Sequence, residues 1–130
     1  MPHLLIVEDE PTTAWALAEG LTDDGFTIDT FANAEDAWQW LQRGHSDLVI
    51  SDVRLPGMSG LDLARRIQRG RHAQPVILMS AYGPPEAQAK LKAAGIAECF
   101  SKPFPLDDLR RSVRAALRPA TRRTRKSASC

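Results

Sequence analysis

In this chain of 130 residues, four apolar runs each give way to a group that can do chemistry. The stretch DLVISDVRLPGMSG, residues 47–60, leads from Leu48-Val49-Ile50 through Ser51 to Asp52, then into a turn rich in proline and glycine. HLLIV, residues 3–7, runs into Glu8-Asp9-Glu10; PVILM, residues 75–79, into Ser80; and IAECFS, residues 96–101, into Lys102-Pro103-Phe104. Singly these are weak signals. An acidic pair often only caps a helix, a lone Asp starts a turn, and a terminal lysine is usually solvated. Jointly they supply carboxylate, hydroxyl and ammonium groups at the ends of buried runs.

Brought together, the carboxylates of Glu8, Asp9 and Asp52 would raise one another's pKa. A hard divalent cation removes that conflict. Mg²⁺ takes oxygen ligands in octahedral geometry and keeps several waters, so two carboxylates, a backbone carbonyl and waters suit it. A carboxylate beside Mg²⁺ and an ammonium is set up to attack phosphorus, because both cations neutralise phosphoryl oxygens in the transition state. The product is an aspartyl phosphate, and the Ser80 hydroxyl is available to donate to a phosphoryl oxygen.

The elements that must position these groups alternate. Strands are expected at 3–7, 26–31, 47–51, 75–79 and 96–101. The first helix starts at Pro11 and runs to about residue 22, with Ala14, Leu17, Ala18 and Leu21 on one face and Trp15 off it. The second is capped by Asn33, carries Ala34, Ala37, Trp38 and Leu41 inward with Trp40 pointing elsewhere, and closes at Gly44. Ser59 caps the third, whose turns are marked by Leu61, Ala64 and Ile67 or Gln68. The fourth starts at Pro84-Pro85-Glu86 and has a thin apolar face of Ala87, Leu91 and Ala94, so it should be the least firmly attached element. The fifth runs from Pro105 to Leu117, with Leu106, Leu109, Val113 and Leu117 inward and Arg110, Arg111 and Arg114 outward. Five βα units imply a parallel sheet with helices on both faces. Ligands then bind outside the carboxyl ends of the strands, where all four chemical groups lie. The residue pattern 26–31 has one less buried face, which places that strand near an edge.

Composition fits a single soluble domain: 43% hydrophobic and 25% charged residues, with no apolar run long enough to span a bilayer. Cys99 and Cys130 match no metal or redox spacing and suggest a reducing, cytoplasmic compartment; His3, His45 and His72 are scattered. All 16 acidic residues lie before residue 109, whereas five of the 17 basic residues lie in RPATRRTRKSASC at the end. The chain thus divides into a folded domain, 1–118, and a basic tail, 119–130, expected to be disordered: a solubilising end or linker, or a weak nucleic-acid contact.

Taken in order, Val7-Glu8-Asp9-Glu10, Ser51 to Gly60, Ser80-Ala81 and Lys102-Pro103-Phe104 resemble the receiver domain of bacterial two-component response regulators, over residues 3–117. The resemblance implies a flavodoxin-like five-stranded sheet of order 2-1-3-4-5. It implies that Asp52 accepts a phosphoryl group from a histidine kinase or phosphotransfer protein, and that Asp9 binds Mg²⁺ directly and Glu8 through water. It assigns the backbone carbonyl of Arg54 as a further metal ligand, Ser80 with Ala81 as the switch segment, Lys102 as the phosphate-reading lysine, and a cis bond before Pro103. Signals would pass through protein contacts, to an output protein or within a homodimer. One position departs from the family pattern: Cys99 stands where the switch aromatic is expected, three residues before Lys102, and Phe100 beside it faces the other side of its strand.

Two rival classes are weighed on the same residues. An aspartyl-phosphatase wants a second Asp two residues after its nucleophile, and Arg54 occupies that position. A flavin-binding module needs a phosphate loop after the first strand, where EDEPTT is electrostatically opposite. The chain is expected not to be an enzyme, beyond self-catalysed phosphoryl transfer to Asp52 and autodephosphorylation. The chain is alternatively the receiver fragment of a larger DNA-binding transcriptional regulator.

Overall fold

A computed structural model describes residues 2–71 and 73–118. The elements are β1 (His3–Val7), α1 (Pro11–Thr22), β2 (Thr27–Phe31), α2 (Ala34–Leu41), β3 (Leu48–Asp52), α3 (Gly60–Arg69), β4 (Val76–Ser80), α4 (Gln88–Ala93), β5 (Ile96–Ser101) and α5 (Leu106–Ala116). All strand pairs are parallel, in the order β2-β1-β3-β4-β5, so the parallel sheet that five βα units imply has the flavodoxin-like order that the resemblance implies. The basic tail, 119–130, and His72 lie outside the described residues.

Alternation along the buried strands builds two cores. Leu5, Val7, Val49, Val76 and Leu78 face α2, α3 and α4; Leu4, Ile6, Leu48, Ile50, Ile77 and Met79 face α1 and α5. β3 and β4 are buried along their whole length. Each such Leu or Ile contributes about 1.5–3 kcal/mol by leaving water. Register then aligns the carboxyl ends: Val7 lies opposite Ser51, Asp52 opposite Met79, and Ser80 opposite Ser101.

Local chemistry sets most element starts. Asn33 and Ser59 accept hydrogen bonds from the Asp36 and Asp62 amides, at 2.8 and 3.1 Å, and so cap α2 and α3. β2 is an edge strand with no fully buried residue, and Trp15 is 66% exposed.

Several expectations need correction. α4 begins at Gln88, not at Pro84, and spans only six residues. Two successive prolines remove amide donors and bias their predecessors toward extended backbone, and Ala87 offers no capping side chain. α2 stops at Leu41; the chain then reaches Gly44 through a turn in which the Gly44 amide bonds the Trp40 carbonyl at 2.8 Å. Trp40 does not point away: it stacks on the His3 ring at 5.1 Å and packs on Phe31. Leu63 adds a fully buried residue to α3 outside the expected stripe. Arg110 is not merely solvated, since its guanidinium donates to the Gly20 carbonyl at 3.0 Å and pairs with Asp24. β3 extends one residue further than expected, so Asp52 is its last residue rather than the first beyond it.

The chain returns to β3 at one tight point. Gly60, the first residue of α3, presses against the Asp52 carbonyl, and a Cβ there would overlap that oxygen and lie 2.7 Å from Ser51 Oγ. The carbonyl belongs to the backbone, so the backbone itself would have to move. Gly60→Ala should therefore cost about 3 kcal/mol or more, read as a fall in the urea midpoint. A loss under about 1 kcal/mol would show that the loop gives way there.

Candidate functional site

The carboxyl edge of the sheet gathers residues from three strand ends. Glu8 follows β1, Asp52 ends β3, and Lys102 follows β5. Lys102 Nζ lies 2.8 Å from Glu8 Oε1 and 3.2 Å from Asp52 Oδ2, so one ammonium bridges two carboxylates. Asp9 completes the cluster: Glu8, Asp9 and Asp52 each offer a carboxylate oxygen, all within 4.8 Å of one another. Glu8 and Asp52 are buried and Asp9 is exposed, so the cluster opens to solvent on the Asp9 side. Three oxygen donors in that space suit a hard divalent cation.

Backbone bonds fix each part. The Glu10 amide donates to Glu8 Oε2 at 3.0 Å, turning the second oxygen of Glu8 away from the lysine. The Val53 amide bonds the Met79 carbonyl at 2.8 Å, and the Lys102 amide bonds the Ser80 carbonyl at 2.8 Å, so both loops are tied to β4. The Lys102–Pro103 bond is cis, and beyond it Phe104 packs on Phe100 at 5.1 Å.

The side chains of Ser80 and Arg54 both make contact with Tyr82. Ser80 is buried at the end of β4, and its Oγ accepts a hydrogen bond from the Tyr82 amide at 3.1 Å. Ala81 is exposed. The Arg54 guanidinium sits 4.6 Å above the ring of Tyr82, which is itself 77% exposed, and this cation–π contact joins the loops after β3 and β4. Cys99 is half-buried against the core shared with α3 and α4, whereas Phe100 packs into the opposite core. Two contributors lie outside the sequence reading. Neither Tyr82 nor Glu35 carries a local sequence signal for its contact. Glu35 Oε2 accepts from the Met58 amide at 2.8 Å, across 23 residues of sequence. A carboxylate in the first turn of a helix is too common to signal such a contact.

Burial raises the Glu8 carboxyl above its ordinary value, against the pull of Lys102 and the Glu10 amide; the nearby Asp52 charge adds to the rise. Burial disfavours the charged lysine, but hydrogen bonds with Glu8 and Asp52 outweigh it and raise Lys102. The Met58 amide holds Glu35 below the usual carboxylate range. Burial, with Glu98 near, raises the Cys99 thiol, which stays protonated and unreactive at neutral pH.

Comparison with known proteins identifies relatives of the chain. A sequence profile of the response regulator receiver domain matches residues 4–114. The transcriptional regulatory protein TcrA of Mycobacterium tuberculosis is 36% identical over 116 residues, 89% of this chain and 46% of its own. CusR of Escherichia coli is 36% identical over 115 residues, 88% of this chain and 51% of its own. The chain therefore spans about half the length of the curated relatives it matches. Among solved structures, the response regulator TrrA of Thermotoga maritima, in complex with Mg²⁺-BeF, superposes with a TM-score of 0.79 at 35% identity, covering 90% of this chain and all of its own.

The raised carboxyl has a consequence for stability. A group whose folded pKa exceeds its unfolded value stabilises the fold fully below the unfolded value, here 4.5, and that contribution is lost as pH rises through the raised value. In chelator, Glu8→Gln should gain stability relative to wild type as pH is raised from about 4 to about 8, measured by urea unfolding. A pH-independent difference would mean that Lys102 fully offsets the buried charge.

Proposed function

The chain belongs to the response regulator receiver domain family, and on that premise we propose that Asp52 accepts a phosphoryl group from a histidine kinase or phosphotransfer protein. The observation that carries the reading is the Lys102 ammonium held between Glu8 and Asp52, with Asp9 in reach. In the transfer, an Asp52 oxygen forms a bond to phosphorus as the bond from phosphorus to the donor breaks, and the electron pair leaves on the donor.

Glu8, Asp9 and Asp52, with the Arg54 carbonyl, are the groups that would hold Mg²⁺. Bound there, the ion would offset carboxylate repulsion and neutralise phosphoryl oxygens. Asp9, exposed beside two buried carboxylates, is the direct ligand in this reading, and Glu8 acts through water. Lys102 spans the carboxylates before transfer and turns toward the phosphoryl oxygens after it. Ser80 Oγ, now an acceptor from Tyr82, is free to aim its own proton at a phosphoryl oxygen.

Response regulator receiver domains are signalling domains, and the relatives above are named as transcriptional regulators. The output here is a change of protein contacts, in a homodimer or with a downstream protein, and the half-length match favours a receiver fragment of a larger DNA-binding regulator. No described helix is long and apolar enough to cross a membrane, in keeping with work in the cytoplasm. The basic tail, residues 119–130, adds at most salt-sensitive affinity for nucleic acid.

Without an aromatic at Cys99, the switch runs through Ser80 and the loop 81–85 into α4. That helix is six residues long, uncapped by a side chain, and buries Leu91 as its one buried residue, so displacing it costs little.

Incubation with acetyl phosphate and Mg²⁺, followed by intact mass, tests the chemistry. Wild type should gain one phosphoryl group, Asp52→Asn none, and Asp9→Ala little because it loses Mg²⁺. An adduct of equal yield on Asp52→Asn would refute the assignment. Lys102→Ala should keep metal binding, followed by Trp15 fluorescence, while phosphorylation or its transmission fails. Amide exchange with and without a phosphoryl mimic tests the route: changes at residues 80–94 are expected, and changes confined to β5 would contradict it.

A further inference from the structure

We propose that Glu35 is a positioning residue for the loop after Asp52: by holding the Met58 amide, it sets the backbone that carries the Arg54 carbonyl, and with it the affinity of the acidic cluster for a divalent cation. The inference rests on the cation-binding reading above and adds a residue remote from the cluster in sequence.

Residues 53–59 leave β3 and must turn back sharply to begin α3 at Gly60. The two ends of this loop are pinned by backbone bonds, Val53 amide to Met79 carbonyl at 2.8 Å and Gly60 amide to Val53 carbonyl at 2.9 Å. Leu55 and Met58 rest on the α2–α3 core. Among the described residues, the polar tether on the loop's middle is the 2.8 Å bond from the Met58 amide to Glu35 Oε2. The carboxylate lies directly on the chain: Gly57 has φ +76°, and a Cβ there would overlap Glu35 Oε2 and approach its Cδ to 3.2 Å. Glycine is needed there for its backbone angle, and its lack of a Cβ leaves room for the carboxylate.

Glu35 is exposed, but the helix that carries it is anchored. The residue stands in the first turn of α2, behind the Asn33 cap, with Ala34 and Ala37 fully buried on either side. The helix N-terminus favours its ionised form. An ionised acceptor makes a stronger hydrogen bond than a neutral one and has an orientation that water does not impose. α2 thus supplies a fixed point on the far side of the loop from β4. Along the chain, Arg54 falls between the tethers at Val53 and Met58, and its guanidinium rests on Tyr82, so its backbone is constrained from both sides. A ligand atom held in place before the ion arrives loses less entropy when the ion binds.

The test compares the full chain with Glu35→Ala and Glu35→Gln. The glutamine removes the charge but keeps a side-chain oxygen, so it separates the hydrogen bond from simple electrostatics. Two readouts are used: exchange of the Met58 amide in chelator, and Mg²⁺ titration followed by tryptophan fluorescence. Glu35→Ala should expose the Met58 amide and weaken Mg²⁺ binding by about three- to tenfold, the worth of one ordinary hydrogen bond. Glu35→Gln, which keeps an acceptor oxygen but loses the charge, should fall between wild type and Glu35→Ala on both. If wild type binds Mg²⁺ and Glu35→Ala binds it equally well, this inference is overturned while the cation site stands. Glu35→Gln falling as far as Glu35→Ala overturns it too, since charge rather than the tether would then set affinity. A wild-type chain that takes up no Mg²⁺ overturns the cation site, and this inference with it.

Discussion

A lysine ammonium between two buried carboxylates is the constraint to which the rest of the molecule answers. The Glu8 side chain is 1% exposed and that of Lys102 28%. An ionised carboxylate so placed is tolerable only beside a cation or several donors, and Glu8 has both, Lys102 on one oxygen and the Glu10 amide on the other. Asp52 shares the same ammonium, so the two acidic groups are coupled through one cation. Anything that draws Lys102 toward a new anion leaves both carboxylates in need of another positive charge. The arrangement is thus suited to exchanging charged ligands and poorly suited to resting without one.

Only a parallel sheet brings residues 8, 52 and 102 together in this way, because parallel strands all present their carboxyl ends on one edge. β3 has the heaviest part in this. It lies between β1 and β4, is buried on both faces, and ends in the acidic group itself. The two cores that clamp it differ. α1 and α5 cover one face through Leu17, Leu21, Leu109 and Val113, while the other carries three helices, of which α4 buries only Leu91, with Ala94 just past its end.

Much of this was legible in the residues. Short apolar runs with β-branched residues, separated by helical stripes and caps such as Asn33 and Ser59, suffice to name five βα units, and parallel topology then places Glu8, Asp9, Asp52 and Lys102 along one edge. What the sequence hid depends on contacts between distant segments. Periodicity assigns Trp40 to an outer face, yet the ring of His3 offers it a stacking partner at 5.1 Å. Arg110 reads as a solvated cation until the Gly20 carbonyl and Asp24 are found beside it. Proline favours a helix start and so predicts α4 from Pro84, but two in succession favour extended backbone and the helix begins at Gln88. Glu35 touches a loop 23 residues away, and no local pattern encodes that.

The packing of α1 on α5 has a mechanical side. The last turn of α1 is gripped by α5 through Arg110 on the Gly20 carbonyl, Leu106 lying on Gly20, and Asp24 shared by Arg110 and Arg114. At its other end, α1 is capped by Glu10, whose side chain accepts from the Thr12 amide and whose own amide holds Glu8. Fixed at both ends, α1 is a strut. A body that takes hold of α5 on the outside of the molecule is connected, through twelve residues of rigid helix, to the carboxylate that Lys102 neutralises.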